Sequence, residues 1–218
     1  IVFASSREGA AQLFQKPSSG LGSETLLVKT DGDSIPTEFS ADGRFLVFRM
    51  LNKQGINEGW VLPMSGERKP FGYLQGNDFN QNIPRLSPNG RWLSYFTPTQ
   101  TNLQVFLQSF PKPGGKWQVS TAGGVNQHWS RDGKELFYVA PSGELMAVTV
   151  KGETAPEIGT PVTLFTPRIL GGARTFVGYR SQYDIAPDGR FLIIVPVDEG
   201  AGSSMTVVLN WAAGLKKK

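Results

Sequence analysis

The chain contains no cysteine and a single histidine among its 218 residues. The first absence excludes disulfides, thiolate metal sites and cysteine nucleophiles; the second rules out a multi-histidine metal centre. No stretch approaches the ~20 apolar residues of a membrane-spanning helix. Sustained apolar spacing at i, i+3, i+4 and i+7 is also missing, which argues against a helical protein. Charged residues are sparse at 18%, and the net charge of +4 comes partly from the terminal Lys216-Lys217-Lys218. The basic residues are scattered through turns instead of clustering with aromatics, so nucleic acid is not an expected partner.

Turn formers and apolar residues are plentiful: 26 glycines, 15 prolines and 39% hydrophobic residues. They are organised by a phrase that occurs four times, as Phe39-Ser-Ala-Asp-Gly-Arg-Phe-Leu-Val-Phe48, Leu86-Ser-Pro-Asn-Gly-Arg-Trp-Leu-Ser-Tyr95, Trp129-Ser-Arg-Asp-Gly-Lys-Glu-Leu-Phe-Tyr138 and Ile185-Ala-Pro-Asp-Gly-Arg-Phe-Leu-Ile-Ile194. Its glycines, Gly43, Gly90, Gly133 and Gly189, stand 47, 43 and 56 residues apart. That is the period of a four-stranded propeller blade. The fold class is therefore all-β, a β-propeller of four-stranded antiparallel blades. About five are expected in one domain spanning 1–218, near 1–30, 31–80, 81–123, 124–167 and 181–211, with an inserted loop over 166–183.

Each phrase reads as an inner strand, a tight turn at Asp/Asn-Gly and a second strand rich in aromatic and branched residues. The dipeptide predicts a hairpin turn with two adjacent positive φ angles. Third strands are expected at 60–64, 104–108 and 144–150, and fourth strands at 116–120 and 161–165. The first and last blades read as partial: residues 1–30 offer three strands without an inner Asp-Gly hairpin, and 205–211 is the final candidate. The expectation is that the chain forms the C-terminal part of a larger ring, the alternative being a five-blade ring with a weak seam. Open blade edges predict self-association.

The Ser-Pro-Asp-Gly-Arg phrase resembles the PD40, or TolB-like, class of WD40-like propellers over nearly the whole chain. More narrowly, Phe110-Pro-Lys-Pro-Gly-Gly-Lys-Trp-Gln-Val-Ser-Thr-Ala-Gly-Gly124, the phrase at 129–138 and Val207-Val-Leu-Asn-Trp211 resemble the C-terminal propeller region of bacterial serine/threonine-kinase-like proteins. This resemblance implies a sensor or scaffold module on the periplasmic or extracellular side of a bacterial membrane. The kinase motifs are absent from the sequence, as is a Gly-x-Ser-x-Gly nucleophile elbow.

Ligands of propellers gather where an outer strand leads into the next inner strand. The longest such connection carries Arg168, Arg174, Tyr179 and Arg180 and runs to Tyr183; guanidinium forks beside tyrosines suit carboxylates, phosphates, sugars or protein hot spots. The alternative is that this insertion closes a blade seam. One residue before each inner-strand apolar position stand Glu38, Arg85, His128 (after Asn126 and Gln127) and Asp184, a mixed-charge ring that could either hold a polar ligand or neutralise itself. The leading reading is a non-catalytic module recognising a protein or a small polar ligand through inter-blade loops. The rivals are a glycoside- or lactone-active hydrolase using Glu38, Asp78 and Asp184, and the gating propeller of a prolyl-oligopeptidase-type peptidase. No cofactor is expected; calcium in a carboxylate-lined channel is the alternative.

Overall fold

The computed structural model describes residues 1–7, 9–76, 83–168 and 181–195. The first sheet comprises β1 (Val2–Ser5), β2 (Gln12–Gln15) and β3 (Thr25–Val28). The second comprises β4 (Asp33–Phe39), β5 (Phe45–Leu51), β6 (Asn57–Pro63) and β7 (Phe71–Leu74), and the third β8 (Arg85–Leu86), β9 (Trp92–Pro98), β10 (Leu103–Ser109) and β11 (Lys116–Gln118), each paired in chain order. In the fourth, β12 (Val125–Trp129), β13 (Glu135–Val139) and β14 (Leu145–Lys151) are followed by β15 (Glu157–Ile158) and β16 (Val162–Phe165), which both pair with β14. The fifth consists of β17 (Tyr183–Ile185) and β18 (Phe191–Ile193). All of these pairings are antiparallel, as meandering blades require. The short β15 is an element that the repeat did not announce, and the candidate strand at 205–211 lies outside the described residues.

Blades stack face to face because their strands bury side chains on both sides. Along β5 the alternation separates Leu46, Phe48 and Met50, which pack with Leu13 of the first sheet, from Val47, which packs with Leu86, Leu93 and Tyr95 of the third. A larger cluster joins the third, fourth and fifth sheets around Phe96, Leu107, Leu136, Phe137 and Tyr183, with Phe191 edge-on to Phe137 at 5.2 Å. The recurrent aromatics Trp92, Phe137, Tyr138 and Phe191 thus belong to packing between blades.

The four repeat turns correct one expectation. Gly43, Gly90, Gly133 and Gly189 have φ of 69°, 68°, 70° and 82°, but the Asp or Asn before each does not adopt positive φ. Gly43 N–H instead closes on Ser40 O at 2.8 Å, and Asp42 Oδ1 accepts from Ser40 Oγ (2.7 Å) and Arg44 N–H (3.0 Å). The acid is selected as a side-chain acceptor, while glycine alone supplies the left-handed conformation. These bonds, Ser40 first, hold the Asp42 carboxyl down at about 2. Ser87 repeats the arrangement and is buried, its Oγ taking Trp92 N–H at 2.9 Å. Ser87→Ala leaves that buried N–H without its acceptor and is expected to cost about 1–2 kcal/mol in urea unfolding. At the fourth turn Ala186 replaces the serine, and its N–H closes on Arg190 O instead.

Candidate functional site: a polar cluster at the inner strands

The first strands of successive sheets pack against one another, β4 on β8 and β8 on β12. Each carries its ring residue near its C-terminal end, and two of them bulge immediately before it. In β4 the register slips between Pro36 and Glu38, and in β12 between Val125 and His128. One extra residue against the partner re-aims the side chain that follows. Asn126, inside the second bulge, takes φ 54°, and its carbonyl accepts the Tyr183 hydroxyl at 2.8 Å.

Arg85 organises the cluster. Its Nη1 lies 3.5 Å from Glu38 Oε2, and its Nη2 donates to Ser181 Oγ at 2.9 Å. Glu38 also accepts the N–H of Leu86 through Oε1, so blade two is tied to the backbone of blade three. Ser181 Oγ lies 2.5 Å from His128 Nε2. Ser181 Oγ thus joins the Arg85 guanidinium to the His128 ring, its bond to Nε2 running in whichever direction the imidazole tautomer sets. The His128 ring packs at 4.6 Å on Tyr183.

Burial sets the electrostatics. It drives the His128 imidazole down to about 3, with the neighbouring Arg85 charge adding to the effect. It raises Glu38, against the opposing pull of Arg85 and the Leu86 N–H. It also raises the Tyr183 phenol, which therefore stays a neutral donor. Around neutral pH the His128 imidazole is therefore uncharged.

A cavity of about 310 Å³ opens beside it, lined by Arg85, His128, Ser181, Tyr183, Asp184, Leu192 and Ile194. Asp184 faces solvent and, among the described residues, accepts the N–H of Ile185. Leu192 stands opposite it in the β17–β18 ladder and is 73% exposed. Glu38 lies behind Arg85 and does not line this space. Among the described residues no group of three His, Asp or Glu side chains is placed to hold a metal ion.

The other candidates fall elsewhere. Gln127 points inward, 2% exposed, its amide donating to Ile83 O (2.6 Å) and Ser94 O (3.2 Å), which makes it a stitch between blades three and four instead of a rim contact. Tyr183 belongs to the inner strand β17 and is buried at 3%, with its hydroxyl committed to Asn126. Arg168 is exposed at the end of the fourth blade. Arg174, Tyr179, Arg180 and Asp78 lie outside the described residues. Ser181, the hub of the cluster, was missed: it falls in the insertion and has no counterpart in the repeat.

No protein-family model and no curated protein matches the chain. Solved structures do. A protein assigned as TolB from Agrobacterium tumefaciens aligns with a TM-score of 0.59 at 17% identity, over 75% of this chain and 60% of that one. TolB from Acinetobacter baumannii aligns at 0.56 and 18%, over 88% and 50%. A protein assigned as a 6-phosphogluconolactonase from Bacteroides uniformis aligns at 0.50 and 18%, over 89% and 60%. The chain thus spans only half to three-fifths of these proteins, and what it shares with them is the fold, a TolB-like β-propeller.

Proposed function

We propose that this propeller is a non-catalytic recognition module that docks a partner protein at the inner-strand rim around Arg85, Ser181 and Asp184. The observation that carries the reading is the cavity itself. It combines a guanidinium, a hydroxyl and a solvent-facing carboxylate with the exposed aliphatic surface of Leu192 and Ile194, the mixture of anchors and polar groups that protein interfaces use. The likeness to TolB structures and the bacterial-kinase resemblance support a place on the external side of a bacterial membrane, as one module of a larger signalling protein.

The same residues speak against an enzyme. Ser181 and His128 have the spacing of a nucleophile and its base. An imidazole held near 3 beside Arg85 is, however, too weak a base to keep the serine's proton at neutral pH. The carboxylates of the hydrolase reading are also divided, with Asp184 on the cavity and Glu38 tied behind Arg85. Fluorophosphonate probes are expected to leave Ser181 unlabelled, and stoichiometric labelling would overturn the non-catalytic reading.

Docking is tested with a photo-crosslinking amino acid placed at Asp184 or at Leu192, compared with Ala41 on the repeat turns. A discrete adduct in envelope extracts from the first two positions and not the third is the expected result. Equal adducts at all three positions, or none, would sink the proposal.

A further inference from the structure

Three of the four repeat turns carry aspartate; the turn at Ser87–Arg91 carries Asn89-Gly90, the only Asn-Gly pair in the sequence. We propose that Asn89-Gly90 is a spontaneous deamidation site whose aspartyl product the fold accepts, and that the modification moves Arg91 from an inter-blade ion pair into its own turn.

The turn is already shaped for an acid. Asn89 Oδ1 accepts from Ser87 Oγ at 2.6 Å and Arg91 N–H at 3.0 Å, the bonds that Asp42 makes with Ser40 and Arg44 and that Asp132 makes with Ser130 and Lys134. The amide nitrogen of Asn89 makes no hydrogen bond with the described residues, so the fold loses no contact when it departs. Asn89 is exposed, and nothing stands within 4 Å of where a Cβ on Gly90 would be, which leaves the reacting bond open to water.

The chemistry needs only water. Gly90 N attacks Asn89 Cγ, the Nδ2 leaves as ammonia carrying the proton that Gly90 N gives up, and a succinimide forms. Water then opens the ring at Cγ to give aspartate, or at the main-chain carbonyl to give isoaspartate. In the folded turn Gly90 N–H is donated to Ser87 O at 2.8 Å, so closure is slower than in the unfolded chain. An isoaspartyl link inserts a methylene into the main chain and breaks that same bond, which disfavours it in the native protein.

The consequence lies at the second oxygen. Asp42 Oδ2 and Asp188 Oδ2 hold the Nε of Arg44 and Arg190 at 2.6 and 2.7 Å. An amide nitrogen cannot accept such a bond, and Arg91 instead reaches Glu153, in the β14–β15 connection of the next blade, at 3.0 Å. Once a carboxylate stands at 89, Arg91 has the partner that its two counterparts use, and the link to Glu153 is released.

The test is incubation of the whole chain at mildly alkaline pH, folded or in urea, followed by peptide mapping of residue 89, with Asn89→Gln as the unreactive control. Conversion in the native protein, slower than in urea and with a higher aspartyl-to-isoaspartyl ratio, is expected. No native conversion by the time the urea sample is exhausted, or an unchanged isomer ratio, would overturn the modification. A crystal structure of Asn89→Asp decides the rewiring: Arg91 Nε on the new carboxylate supports it, and Arg91 still on Glu153 refutes it.

Discussion

Arg85→Met is expected to destabilise the protein by about 2–4 kcal/mol at pH 8, and to do so less and less as the solution is acidified. Arg85 is the only cation described beside Glu38, and burial already raises that carboxyl. Removing the guanidinium leaves a carboxylate with about a quarter of its side-chain surface exposed and the Leu86 N–H as its sole described donor. Its folded pKa then climbs further above the unfolded value. A folded pKa above the unfolded one means that the native state binds the proton more tightly, so stability returns as pH falls through it. Urea unfolding from pH 8 to 5 should therefore show the variant converging on the wild type, with Glu38→Gln/Arg85→Met recovering much of the loss at every pH. A loss independent of pH and untouched by the second substitution would mean that Arg85 acts through packing alone. Ser181 also loses a donor in this variant, which accounts for recovery short of complete.

The ring positions of Glu38, Arg85, His128 and Asp184 were legible because the repeat counts residues from the turn, and strand pairing preserves that count. What the count could not convey is the bulge. A regular strand would send Gln127 and His128 to opposite faces. Across the slip between Val125 and His128 they still do so, Gln127 stitched to blade three and His128 against Tyr183, while Asn126 within the slip gives its carbonyl to the Tyr183 hydroxyl. The only advance sign of such a slip is Pro36 within β4, since proline is confined in sheets to edges, strand starts and bulges. The turn type was misread for a related reason. Asp-Gly is shared by turns with one and with two positive φ angles; the carbonyl two residues before the acid closes all four loops here, and in three of them a serine hydroxyl at that position reinforces the closure. Ser181 was illegible because nothing in the repeat corresponds to it; it is supplied by the insertion that sets the fifth blade apart.

His128 gives the second large effect. Its folded pKa of about 3 lies well below the ordinary value of 6.5, so from pH 6.5 downward the unfolded chain takes up a proton that the native cluster refuses. Stability should fall with acidification through that window, by up to about 1.4 kcal/mol per pH unit from this group. Glu38 works in the opposite sense, since its raised pKa favours the native state as it protonates. The turn acids Asp42 and Asp132, whose pKa values are lowered, add losses of their own at lower pH. His128→Gln separates these contributions, because its amide can bond Ser181 Oγ as donor or acceptor but cannot be protonated in this range. The difference in unfolding free energy between wild type and His128→Gln should shift steadily toward the variant from pH 6.5 to 4, while the shared carboxylate contributions cancel. A constant difference would mean that His128 titrates in the native state much as it does in the unfolded chain, and that Ser181 and Tyr183 do not enclose it. The two experiments also constrain each other. Arg85→Met removes the charge that helps to depress the imidazole, so its acid profile should be shallower than the wild type's for two reasons, and restoring a neutral Glu38 should leave only the histidine's share.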